Sequence, residues 1–141
     1  MTPLSITSQI QINAPPEKIW EVLINLAAYR DWNSKLRVIE APESIARGSR
    51  AKLCAAPETE FERIFDVDIT AIEIPYLLEW QGGEADTFIG MHRFELHRAT
   101  SEKTIFKNSE IFSGAMASAI LDVSRISLEE EFQAFNEAIR R

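Results

Sequence analysis

Cysteine is nearly absent: Cys54 is the only one in 141 residues. No intramolecular disulfide can form, and the residue sits in the apolar run Leu53-Cys54-Ala55-Ala56, which reads as a small buried hydrophobe in a reducing compartment. Nothing local supplies the histidine or helix N-terminus that would make it a nucleophile. Long apolar runs are missing too. No segment approaches the ~20 residues of a membrane span, and Met1 to Gln9 has neither the basic start nor the apolar stretch of a secretory signal. Membrane insertion is not expected, and a cytoplasmic location is. Lys and Arg are outnumbered, 15 against 22 acidic side chains, for a net charge of −7, and they form no basic face. A nucleic-acid partner needs such a face to neutralise phosphates, and so does an anionic membrane surface. The glycine-rich phosphate loops, G-x-S-x-G and His/Cys clusters with metal-ligand spacing are all missing, so no cofactor or metal is expected.

What is there suits one globular domain over residues 1–141, with 45% hydrophobic and 26% charged residues. Leu4 to Asn13 reads as a strand with Ile6, Ser8, Ile10 and Ile12 on one face and Thr7, Gln9 and Gln11 on the other. Ala14-Pro15-Pro16 ends it, and one proline can open the helix that follows. That helix, Pro16 to Leu26, carries a stripe of Ile19, Trp20, Leu23 and Leu26, and a second helical turn is expected around Ala27 to Trp32. Strands then follow at Leu36–Glu40, Arg50–Ala55, Phe61–Glu73, Tyr76–Gln81, Thr87–Arg98 and Thr104–Ser113, with Gly82-Gly83 read as a turn. Ala115 to Arg140 has no Gly or Pro and reads as one helix about 39 Å long. Its bulky residues, among them Leu121, Phe132, Phe135 and Ile139, need a large surface to cover, and the sheet is the only one available. The expected class is α+β: a curved antiparallel sheet of about six or seven strands, with short helices after the first strand and a long C-terminal helix across the concave face.

This order, and several local motifs in it, resemble the START-like (SRPBCC) superfamily, in particular its polyketide cyclase/dehydrase-like branch. The motifs are Ile10-Gln11-Ile12-Asn13-Ala14-Pro15-Pro16-Glu17-Lys18-Ile19-Trp20, Tyr29-Arg30-Asp31-Trp32-Asn33 (with Ser34 where the family has proline), Leu78-Glu79-Trp80-Gln81-Gly82, Gly90-Met91-His92-Arg93-Phe94 and Glu110-Ile111-Phe112-Ser113-Gly114. The resemblance covers nearly the whole chain. The resemblance implies a helix-grip fold and an apolar ligand (lipid, polyketide, steroid or quinone) held between sheet and helix. Some members of the family are cyclases, aromatases or dehydratases. Fold does not decide among these.

Alternation also picks out candidate site residues. Phe88, Gly90, His92, Phe94 and Leu96 share one face of their strand, and Phe106, Asn108, Glu110 and Phe112 share one face of the next. Closing the hairpin over Ala99 to Lys103 sets Leu96 opposite Phe106, Phe94 opposite Asn108 and His92 opposite Glu110. A one-residue slip would turn the apolar sets to opposite faces, and facing side chains lie ~5 Å apart at Cβ. His92 and Glu110 are therefore candidate neighbours, readable as a structural pair, a polar anchor for a ligand, or an acid–base pair. The expected wall comprises Trp32, Phe65, Trp80, His92, Phe94, Phe106, Asn108, Glu110 and Phe112. Arg63 could neutralise Glu110 or a ligand acid, or simply reach water. Asp66 and Asp68 alternate with the apolar set and are expected in solvent.

Three functions suit this pattern. The first is a binding module for a small apolar molecule; the second, an enzyme with His92 and Glu110 as acid and base; the third, which the family resemblance implies, a chaperone-linked protein-interaction domain. A second copy of the chain is a candidate partner as well.

Overall fold

Period-two alternation builds most of this chain. In the computed structural model, which describes residues 4–33, 35–60, 62–84 and 86–140, seven strands form one antiparallel sheet. They are β1 (Ser5–Ile12), β2 (Leu36–Glu40), β3 (Arg50–Ala55), β4 (Arg63–Glu73), β5 (Leu77–Glu84), β6 (Phe88–Thr100) and β7 (Lys103–Ser113). The order across the sheet is β1-β7-β6-β5-β4-β3-β2, so consecutive strands pair as hairpins and β1 closes one edge against β7. The helices α1 (Pro16–Ile24) and α2 (Tyr29–Trp32), joined by a 3-10 turn at Leu26–Ala28, carry the chain from the β1 edge to the β2 edge. The long helix α3 (Ala117–Arg140) follows β7 and lies closest to β1 and β7.

The α+β expectation holds, with local differences. Pro16 opens α1 as its first residue, where a missing N–H costs nothing. The Leu26 end of that helix is instead the 3-10 turn. Gly82 and Gly83 are not a turn: β5 runs through both to Glu84, because their N–H and C=O groups continue the ladder opposite Gly90 and Ile89. Phe61 and Ser34 lie outside the described residues. Asp66 and Asp68 are exposed, with Asp68 accepting a hydrogen bond from Arg50 at 3.0 Å. Cys54 is buried, and burial pushes its thiol pKa up.

The Tyr29–Asn33 motif is the corner that holds β2 in place. The Tyr29 hydroxyl, fully buried, donates to the Leu23 carbonyl at 2.5 Å and ties α2 back to α1. Asn33 Oδ1 accepts from the backbone N–H groups of Lys35 and Leu36, which turns the chain into β2. Trp32 packs on Tyr29 and edge-on against Phe135, with ring centroids 4.9 and 5.3 Å away.

Buried apolar residues fall into two clusters. The larger joins α1 and α2, the β3–β7 inner face and the end of α3, and includes Leu53, Val67, Trp80, Phe94, Phe106 and Phe135. The smaller gathers Ile6, Phe112, Ala117, Leu121 and Phe132 between β1, β7 and the first two-thirds of α3, with Phe88 and Leu128 against it. Between them the sheet and helix do not close. Among the described residues, no helix is long and apolar enough to cross a membrane.

Candidate functional site

The space left between the two clusters is a cavity of about 350 Å³, at the low end of the range for ligand sites. Its floor is set by register. β5–β6 pairing places Trp80 opposite His92 and Gly82 opposite Gly90. β6–β7 pairing places His92 opposite Glu110 and Gly90 opposite Phe112, as alternation predicts. β4 adds Phe65 and Val67, the latter opposite Gly82. Ile120, Leu128, Phe132 and Phe135 of α3 form the roof. The facing glycines matter because neither projects a Cβ into the space. The Glu110 carboxyl fills the position a side chain at Gly90 would need: an added Cβ would sit 2.1 Å from Glu110 Oε2.

Four polar side chains on three strands and a helix form a chain that ends at this floor. His92 Nε2 lies 2.5 Å from Asn108 Oδ1. Asn108 Nδ2 donates to Asn136 Oδ1 at 3.1 Å, and Asn136 Nδ2 donates to Ser8 Oγ at 2.8 Å. With its amide nitrogen committed to Asn136, Asn108 offers His92 only an acceptor, so the proton sits on Nε2. His92 Nδ1 then carries a lone pair, 3.6 Å from Glu110 Oε1. Burial pushes the His92 pKa down to about 4, against the smaller opposing effect of the Asn108 hydrogen bond. Burial likewise pushes Glu110 up to about 8, with Arg63 lowering it and Glu131 raising it by smaller amounts. Both are therefore neutral at pH 7: His92 and Glu110 are neighbours without being an ion pair.

The expected wall residues separate into two groups. Phe65, Trp80, His92, Asn108, Glu110 and Phe112 line the cavity. Trp32, Phe94 and Phe106 do not: Phe94 and Phe106 are fully buried and stack with Phe135 at 5.0 and 6.1 Å, behind the roof. Their inward direction was legible in the alternation, but helix and corner side chains cover them. Arg63 stands at the mouth, where its Nη2 donates to Glu131 on α3 at 3.1 Å, with Lys35 nearby on the rim.

Solved structures share the fold. Protein Ms6760 from Mycobacterium smegmatis superposes with a TM-score of 0.74 at 16% identity, over 97% of this chain and 88% of its own. The Zhui aromatase/cyclase from Streptomyces sp. R1128 gives 0.74 at 13% identity, over 96% and 90%. Norcoclaurine synthase from Thalictrum flavum, solved with dopamine and hydroxybenzaldehyde, gives 0.69 at 17% identity, over 96% and 83%. This is the helix-grip fold. No protein-family model matches the chain, and no curated protein does. At these identities the likeness concerns the helix grip alone, since one fold hosts many functions.

Reading the sequence missed four residues of this helix grip's site. Gly82 was assigned to a turn, and Gly90 was placed on the inner face without its consequence for volume. Ser8 is the one polar residue in the Ile6–Ile12 stripe of β1, and that interruption is the signal that could have found it. Asn136 lies four residues after Phe132 and three before Ile139, and that spacing puts it on the buried stripe of α3.

Proposed function

We propose that this chain binds a small, largely apolar molecule (a lipid, polyketide, quinone or similar compound) in the cavity between sheet and helix. The observation that carries the reading is the Gly82–Gly90 pair under α3: two adjacent inner-face positions without side chains, ringed by Trp80, Phe65, Phe112 and Phe132. Packed interiors rarely leave voids larger than a water molecule, so a space this size between largely apolar walls favours a guest. Norcoclaurine synthase, which shares the fold and was solved with dopamine and hydroxybenzaldehyde, supports a small organic ligand for this chain. The test has two steps: mass spectrometry of whatever molecule is released on denaturation, then fluorescence titration with an apolar naphthyl probe. Saturable 1:1 uptake, weakened in Gly90→Val, is the expected result. Uptake that does not saturate, or that ignores Gly90→Val, overturns the reading.

A second reading is that the bound molecule also reacts. It is favoured by the placement of a neutral carboxylic acid beside an unprotonated imidazole nitrogen, a proton donor and acceptor whose pKa values are pushed apart. Glu110 would protonate and His92 would accept. Conversion of the released molecule by wild type and not by His92→Gln is the expected outcome; no conversion by wild type removes this reading and leaves the first intact.

A further inference from the structure

The polar end of the cavity has a direction, and it constrains what can bind. The amide order Ser8–Asn136–Asn108 leaves His92 with its proton on Nε2 and its acceptor nitrogen toward Glu110. Across from that nitrogen is a carboxyl whose own proton has no protein acceptor within hydrogen-bond range at His92, since 3.6 Å is too long. An oxygen placed about 2.8 Å from both atoms would complete a triangle, receiving one hydrogen bond and giving the other. Only a group that is both donor and acceptor satisfies both sides. A hydroxyl is such a group. A carbonyl could accept from Glu110 but would face the His92 lone pair with another lone pair, and a carboxylate would bring a charge into a site that leaves Glu110 and His92 uncharged.

We propose that the cavity selects a neutral molecule carrying one hydroxyl group, which gives its proton to His92 Nδ1 and accepts one from the Glu110 carboxyl. This rests on the reading that the cavity binds a small apolar molecule. Size narrows the class further. A dry cavity of about 150 Å³ holds benzene, so one of about 350 Å³ has room for two fused six-membered rings and a short substituent. The charged groups around it are Arg63 on β4, Glu131 on α3 and Lys35 before β2; all stand at the mouth, and Arg63 and Glu131 pair with each other. They leave the floor to the neutral pair.

Three probes of nearly equal size separate the outcomes: 2-ethylnaphthalene, 2-naphthylmethanol and 2-naphthoate. The alcohol should bind about tenfold tighter than the hydrocarbon, the worth of two neutral hydrogen bonds, and the carboxylate weakest. Equal affinity for alcohol and hydrocarbon overturns the proposal and leaves the binding reading standing. So does tightest binding of the naphthoate, which would assign recognition to Arg63 and Lys35. Failure of all three, the hydrocarbon included, overturns both. Nitrogen-15 NMR of the ring in a His97→Gln background, where His92 is the single histidine, gives an independent check. Protonated Nε2 with bare Nδ1 is expected. The opposite tautomer overturns the proposal whatever the affinities.

Discussion

Gly90 and Glu110 occupy one volume: the carboxyl of Glu110 lies where a side chain on Gly90 would be, and an added Cβ would come within 2.1 Å of its Oε2. The Glu110 carboxyl is the far end of a flexible side chain and can move, so Gly90→Ala should cost little stability, about 1 kcal/mol or less, yet push the carboxyl into the cavity and weaken probe uptake. Gly82→Ala meets the Asp66 backbone oxygen at 2.7 Å and Val67 Cγ1 at 2.9 Å, neither of which yields easily. It should cost about 1–3 kcal/mol. Thermal melts and probe titrations of the two variants check the contrast; equal stability losses would mean the floor relaxes as freely at one glycine as at the other.

Phe135 is the residue on which the roof depends. Its ring contacts Phe94, Phe106, Tyr29 and Trp32, and it is 4% exposed. Phe135→Ala should destabilise by about 3–5 kcal/mol. Phe132 belongs to the smaller cluster and already borders open space, so Phe132→Ala should fall at or below the low end of that range. Urea unfolding measures both. A larger loss at Phe132 would contradict the division of the core.

Stability should depend on pH in two opposed ways. Glu110 has a raised pKa in the folded state, so its contribution is complete below about 4.5 and is lost as pH rises toward about 8. His92 has a lowered pKa, so its contribution is present above about 6.5 and is lost as pH falls toward about 4. Between about 4.5 and 6.5 the two slopes offset one another. Above about 6.5 only Glu110 acts, and stability should decline until about 8. Glu110→Gln should abolish that alkaline decline. A decline that survives in Glu110→Gln would have to come from another group.

The mouth charges pull Glu110 in opposite directions: Arg63 lowers its pKa and Glu131 raises it. Arg63→Gln should move the Glu110 titration upward and Glu131→Gln downward, read by carbon-13 NMR of the Glu110 carboxyl. Stability should change by less than about 1 kcal/mol in each, because their pair is partly exposed and solvent-screened. Shifts of the same sign in both variants would mean that the substitutions act through packing instead.

Alternation is a local property of the chain, and what depends on it was legible in the residues themselves. The inner faces of β1 and β6, the long helix after Gly114 and the register that sets His92 across from Glu110 all follow from where polar residues interrupt apolar ones, because a slip of one would expose a whole face. Tertiary structure alone decided what those residues touch. His92 bonds diagonally to Asn108 instead of squarely to Glu110, since Asn136 reaches down from α3 and engages the Asn108 amide nitrogen. Phe94 and Phe106 point inward as expected and yet do not line this cavity, because Phe135 of α3 lies over them. The opening itself lies where two glycines face each other across strands, one of them in a segment that reads locally as a turn. Side-chain reach and helix placement are set by contacts between residues far apart in the chain, and no local pattern carries them.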